Sequence, residues 1–264
     1  MSMKIVVIGL GQMGGNMALT LKRAGFEVTG IDPSDTARQR LSDQGLKVAS
    51  DAALPSAEVY LLSLPTSEQV RTVIESSPGL LEQDAGLEWL DAPVSGGPKG
   101  AATGKMGVLL GGEASTIERV VPVLEALSAR YTHVGPAGSG HVVKLANNYL
   151  CAANLIATGE AVAMAAKAGV DPAACLAGLN SGSGRSAVRE VNFPEWIFSE
   201  RFDSGFTTGL MRKDLRLARD AAEQLDTPRA LLNHVVERWH EARDIEDQQD
   251  FNRIADALLA TARK

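Results

Sequence analysis

Ile5–Ile8 is a short run of apolar, β-branched residues, followed at once by a glycine-rich turn and a helix-forming stretch. An apolar run bounded by turn residues predicts a buried strand. The alternation continues along the first half of the chain. A helix over about Met13–Ala24 stops at Gly25, and Glu27–Ile31 reads as a second strand. A helix over about Asp35–Asp43, a short strand near Leu46–Ala49 and a strand at Glu58–Leu64, ended by Pro65, come next. Thr66-Ser67-Glu68-Gln69 opens another helix with cap-type residues. Further strands are expected at Leu87–Ala92, Met106–Leu110 and Arg130–Val134. A glycine-rich loop covers Ser95–Lys105, and Ser115 caps a helix to about Leu127. Strands alternating with helices imply a mostly parallel sheet covered on both faces.

From Gly138 the pattern changes. One long apolar segment runs to Ala168, followed by helical patterns near Pro172–Asn180, Thr208–Gln224, Arg229–Arg243 and Phe251–Ala262. No convincing strand occurs there. The reading is an α/β domain over residues 1–135 and an all-helical domain over 136–264.

Bulk properties narrow the function. The formal net charge is −6, aromatic residues are few, and no basic run appears, so nucleic acid is not expected as a partner. Cys151 and Cys175 lack CxxC spacing and read as free thiols in a reducing, cytoplasmic compartment. His133, His141, His234 and His240 form no tight ligand set, so no metal is expected. No window reads as a membrane span, and no membrane partner is expected.

The turn itself carries chemistry. Gly9-Leu10-Gly11-Gln12-Met13-Gly14 fits the GxGxxG pattern, between a strand and a helix as a dinucleotide site needs. Gly9 allows the tight turn, Gly11 lets the backbone approach a pyrophosphate, and Gly14 lets the helix lie close on the strand. Asp32 stands at the end of the second strand, where a carboxylate accepts hydrogen bonds from ribose hydroxyls and repels a 2′-phosphate. This favours NAD over NADP; the competing reading makes Asp32 a helix cap or a turn residue, with Asp35 as the rival cap.

Other candidates are Lys144, in the apolar stretch HVVKLANNYLCAANLIA, with Asn147 and Asn148 three and four residues on. A buried lysine with a lowered pKa suits general acid/base work on an alcohol or carbonyl; a snorkelling surface lysine is the alternative. Ser95-Gly96-Gly97 offers successive backbone amides to a carboxylate, or is an ordinary flexible turn. Lys213 places a charge near an anionic substrate, or belongs to a solvated face of a helix whose apolar stripe is Leu210, Leu217, Ala218 and Ala221. Ser181–Ser186 caps the next helix or lines a substrate mouth.

Four stretches together resemble the β-hydroxyacid dehydrogenase family: IGLGQMGGNMALTLKRAG, DAPVSGGPKGAATGKMGVLLGG, GSGHVVKLANNYL and KDLRLA. The resemblance implies a Rossmann-type doubly wound sheet, a helical second domain like that of 6-phosphogluconate dehydrogenase, and NAD-linked interconversion of a small 3-hydroxy acid and its aldehyde or keto acid. It implies Lys144 as catalytic acid/base and Asn148 as orienting the substrate. Ser95, Gly96 and Gly97 would hold the carboxylate, and Lys213 would lie near nicotinamide and substrate. Leu64, Pro65 and Thr66 would border the cofactor, together with Gly9, Gly11, Gln12, Met13, Gly14 and Asp32. Asp214 would be structural, and the assembly a homodimer or homotetramer through the helical domain. Specificity is expected from walls around Ser181–Ser186, Phe206 and Trp239, with Arg185 hinting at a second anionic group. An imine reductase of the same fold and a non-catalytic dinucleotide-binding scaffold are the alternatives. One departure stands out: relatives carry a further strand, ending in a Ser-Thr pair that contacts the cofactor, and then a helix before the Asp-Ala-Pro-Val segment. Roughly 25 residues, about one strand plus one helix by usual lengths, are absent here, with the join expected at Gln83-Asp84.

Overall fold

The computed structural model describes residues 3–50, 54–76 and 86–260. The chain divides at His141/Val142 into two compact units.

In the first unit, β1 (Lys4–Ile8), β2 (Glu27–Ile31), β3 (Lys47–Ala49) and β4 (Val59–Leu62) form a parallel sheet in the order β3-β2-β1-β4. Ile5 lies opposite Val28 on one side and Val59 on the other. A parallel strand covered on both faces needs apolar residues at successive positions, which is why β1 reads as a continuous run. Ile5 and Val7 join the core under α1 (Gln12–Arg23), while Val6 and Ile8 pack on the other face with Ile31 and Leu54.

A second sheet, β5 (Val94–Ser95), β6 (Met106–Gly111) and β7 (Ser128–Gly135), has β5 antiparallel and β7 parallel to β6. Met106, Val108 and Leu110 share one core with Ile5, Met17 and Leu21. Two helices, α4 (Gly97–Thr103) and α5 (Ala114–Leu127), pack on α1 and tie this sheet to the first. Thr20 on α1 donates Oγ1 to the Ala101 carbonyl at 2.8 Å.

Three local expectations change. Leu87–Ala92 is not a strand; among the described residues its ladder pairing is the single bridge Asp91–Gly111. Ser95–Lys105 is not a loop but contains α4, because left-handed Gly96 and Pro98 at the helix start set up a helical turn. Glu113, not Ser115, occupies the cap position of α5. The expected join at Gln83-Asp84 lies outside the described residues.

The second unit is helical: α6 (Ser139–Lys167, beginning in the first unit), α7 (Pro172–Ser181), a π-helical stretch (Val188–Ile197), α8 (Thr208–Gln224), α9 (Ala230–Glu241) and α10 (Arg253–Ala260). Leu155, Val162, Phe193, Ile197, Met211, Leu215 and Trp239 belong to its core. A chain of buried polar groups, Asn192 to Asn252 (2.7 Å) and Asn252 to Asp250 (2.8 Å), fastens α10 to the π-helical stretch. At 29 residues α6 is long and apolar enough to cross a membrane by length and composition, contrary to the sequence reading. Its apolar character has another use, since Ala152, Leu155, Ile156 and Val162 enter the helical core.

Candidate functional site

The glycine turn has the shape the pattern predicts. Gly9 has φ +92°, and a Cβ there would lie 2.3 Å from the Ser63 carbonyl oxygen. A Cβ on Gly14 would lie 1.9 Å from the Gly9 carbonyl oxygen, so only glycine lets α1 start this close to β1. Gly11 is different. It occupies the cap position of α1, no side chain caps that end, and nothing lies within 4 Å of where its Cβ would be. The helix start, with Gln12 and Met13 in its first turn, therefore faces open space, and a pyrophosphate fits there. Leu64 follows β4 and touches the turn, its Cδ2 3.0 Å from the Cβ position of Gly9. Pro65 comes next, and Thr66 Oγ1 accepts from the Gln69 amide at 3.2 Å to cap α3 (Ser67–Ser76).

Asp32 does not cap the helix but does hold a turn, through the Ser34 amide two residues on. Its carboxylate accepts from the Leu10 amide at 2.7 Å and the Ser34 amide at 2.8 Å, which locks it beside the glycine turn. Ser34, not Asp35, caps α2 (Asp35–Ser42), accepting from the Ala37 amide. Arg38 donates to the Asp32 carbonyl at 2.5 Å and is paired with Asp35. Open helix start, close glycines and an acid at the second strand end together fit a dinucleotide.

In the same unit, Gly96 and Gly97 both adopt left-handed backbone, with φ +108° and +59°. Ser95 is exposed, and its hydroxyl donates to the Gly107 carbonyl at 3.4 Å. Behind this turn, Asp91 accepts from the amides of Gly138 (2.6 Å) and His141 (2.9 Å), supplying a cap to the start of α6. Burial alone would raise its carboxyl, but the Gly138 and His141 contacts outweigh this and hold it below its ordinary value. Gly111 and Gly140 leave room for that carboxylate; a Cβ on either would come within 2.7 Å of it.

In the second unit Lys144, Asn148 and Cys151 share one face of α6. Lys144 is part-buried, and burial pulls its ammonium below the usual lysine range. Asp214 opposes that shift, while Lys213 adds to it. Asn148 is 5% exposed and donates to Asp214 at 2.6 Å; Asn147 donates to Asn148 at 3.1 Å. Lys213 Nζ lies 3.3 Å from the other Asp214 oxygen. Burial pushes the Cys151 thiol up to about 11, leaving it protonated at neutral pH.

Sequence reasoning placed Lys144, Asn147, Asn148 and Lys213 but gave Asp214 no partner. The cause is the register of α8: Met211, Leu215 and Ala218 are buried, whereas Leu210 and Leu217 are exposed. Asp214, three residues from Met211, therefore turns inward. Ser63, against the glycine turn, was also missed; its only signal is its place just after the β4 run. Two expected specificity residues move. Trp239 is 1% exposed in the helical core, and Phe206 stacks edge-on against Phe251. Arg185 is paired with Glu190, and Ser186 accepts from the Arg189 amide, so this loop does cap the following helix. Among the described residues no group of His, Cys, Asp and Glu could hold a metal.

Comparison with known proteins agrees with this anatomy. Residues 4–85 and 82–135 match the family described as the NAD binding domain of 6-phosphogluconate dehydrogenase. Residues 138–258 match the family described as NAD-binding of NADP-dependent 3-hydroxyisobutyrate dehydrogenase. The chain is 33% identical to 3-hydroxyisobutyrate dehydrogenase of Pseudomonas aeruginosa, over 95% of this chain and 96% of that protein. It is 32% identical to the "Probable 3-hydroxyisobutyrate dehydrogenase" of Mycobacterium tuberculosis, over 98% of each. A solved structure of Mycobacterium tuberculosis 3-hydroxyisobutyrate dehydrogenase with L-serine superposes with a TM-score of 0.90 at 30% identity, covering 98% of this chain and 99% of the other. The 32% alignment spans 289 positions, so a chain of 264 residues leaves at least 25 of them without a counterpart. The two blocks of the first family match meet at residues 82–85.

Proposed function

This chain belongs to the 3-hydroxyisobutyrate dehydrogenase family of β-hydroxyacid dehydrogenases, and from that premise we propose that it oxidises a small 3-hydroxy acid with Lys144 as general base, running in reverse with Lys144 as acid. Membership makes it an NAD(P)-dependent oxidoreductase; the preference for NAD is our reading of Asp32, whose carboxylate at the end of β2 would repel a 2′-phosphate, and of Arg38, whose charge is paired with Asp35.

The bound dinucleotide supplies the hydride acceptor, and the chain supplies everything else. Gly9, Gly11, Gln12, Met13 and Gly14 receive the pyrophosphate, with Leu64 and Pro65 beside it. Ser95, Gly96 and Gly97 orient the substrate carboxylate. Lys144, neutral, takes the hydroxyl proton as the carbon gives up its hydride; protonated, it returns that proton in reduction. Asn148, fixed by Asp214, steadies the oxygen, and Lys213 adds positive charge toward the acid.

The observation that carries this reading is the lysine held in a half-buried polar cluster with its pKa drawn down by burial. A substrate panel tests it: reduction of the dinucleotide is expected with short 3-hydroxy acids, and NADH forms from NAD⁺ faster than NADPH from NADP⁺. Reduction of a cyclic imine with no oxidation of any hydroxy acid overturns it in favour of imine chemistry, and tight NAD⁺ binding with no turnover makes the chain a scaffold.

Two further features belong to this reading. The exposed face of α6 carries Val143, Leu150 and Met164 at heptad spacing, as a homodimer or homotetramer built on the helical unit requires. Two free cysteines fit a cytoplasmic setting.

A further inference from the structure

Doubly wound sheets hold dinucleotides with two mononucleotide halves, in strand order 3-2-1-4-5-6, one for each end of the ligand. The first half is complete here: β1, α1, β2, α2 and β3 follow one another, and Asp32 stands at the end of β2. The second half is not. It begins with β4, and among the described residues β4 pairs with β1 alone. The next strands belong to a separate sheet in which β5 runs antiparallel.

Burial tells the same story. Four residues of β1 are buried, whereas every residue of β4 is half-exposed, an uncommon state for what should be an interior parallel strand. The segment Leu87–Ala92, which would lie beyond a further strand, pairs among the described residues through one bridge only and leaves Trp89 45% exposed. The alignment leaves at least 25 positions of a relative unmatched in this chain, and the family match breaks at residues 82–85. A strand with its crossover helix occupies about that length.

We propose that this chain grips its dinucleotide almost wholly through the ADP-ribose portion, because the strand that would wall the nicotinamide side next to β4 is missing from the sequence. The carboxyl end of β4, with Ser63 and Leu64 against the glycine turn, is what remains of the second half. The proposal rests on the dinucleotide reading above and goes beyond it, since it assigns the two ends of the ligand unequal hold.

Calorimetric titration of the full chain with ADP-ribose and with NADH tests it, with the Pseudomonas aeruginosa relative titrated alongside. The expected result here is a Kd for ADP-ribose within about threefold of that for NADH, and little change in dihydronicotinamide emission on binding. NADH binding more than threefold tighter than ADP-ribose, with the same ratio and emission change as the relative, overturns the proposal. Failure of both ligands to bind sinks the dinucleotide reading itself, and so is told apart from failure of the asymmetry.

Discussion

Gly11 and Gly14 lie three residues apart in one turn, yet the structure assigns them opposite sensitivities. In Gly14→Ala the new Cβ would stand 1.9 Å from the Gly9 carbonyl oxygen, well under the 3.0 Å that real Cβ contacts respect. The substitution would gain up to ~1 kcal/mol of helix propensity. Overpacking of roughly 1–3 kcal/mol or more opposes that gain, because the obstacle is backbone and α1 must withdraw from β1. With backbone as the obstacle the cost sits at the top of that range, and the resulting net loss of up to about 2 kcal/mol lowers Tm by as much as roughly 4–8 °C, taking about 2–4 °C per kcal/mol for a chain of this size. In Gly11→Ala the Cβ meets nothing within 4 Å and φ is −63°, so stability changes by no more than about 0.5 kcal/mol, as for other strain-free surface sites. That methyl occupies the space before the helix start, and NADH affinity should fall at least about tenfold, or 1.4 kcal/mol. Thermal melts by circular dichroism and NADH titration measure both. Wild-type NADH affinity in Gly11→Ala would move the pyrophosphate away from this turn. A wild-type melting temperature in Gly14→Ala would refute the close-approach argument.

Three further outcomes follow from the charges. Asp214→Asn keeps an acceptor for Asn148 but removes the carboxylate that props up the Lys144 ammonium; the alkaline-rising limb of the oxidation rate against pH should shift to lower pH. Lys144 has a folded pKa below its unfolded value, so its charged form favours unfolding, and the penalty disappears as pH rises from the folded pKa to 10.5 and above; Lys144→Met, followed by thermal melts at neutral pH, should not lower Tm. Asp91 has a folded pKa below its unfolded value, so its stabilisation is present above about pH 4 and is lost as pH falls through the folded value. Asp91→Ala should cost about 0.5–2 kcal/mol at neutral pH, through loss of the cap that Asp91 gives the Gly138 and His141 amides, and flatten acid unfolding; equal acid midpoints would refute this.

Local signals made the first sheet and its turn readable: apolar runs at β1 and β2, glycines where φ is positive or helix meets strand, and an acid at a strand end. The long helix and its lysine were legible for a similar reason, since an ionisable group amid apolar residues is conspicuous. What failed depends on non-local packing. Glycine-rich Gly97–Thr103 reads as loop until Pro98 and left-handed Gly96 are seen to start a helix. Leu87–Ala92 has strand composition but, among the described residues, pairs only at Asp91. The inward face of α8 differs by one residue from the stripe chosen by counting leucines, and that shift hid Asp214. Trp239 could be assigned to a substrate wall by residue type, whereas Leu232, Val235 and Val236 at helical spacing already mark its face as core. The internal shortening showed in the sequence because flanking motifs on both sides stayed in order.

The account turns on the amine of Lys144. Single-turnover and steady-state rates of Lys144→Ala, measured beside NADH binding to the same preparation, test this most directly. The expected result is a rate lowered by about 10²–10⁴-fold, the usual worth of a positioned acid/base, with NADH affinity unchanged. Turnover within a few-fold of wild type would contradict the account and move the proton to another group.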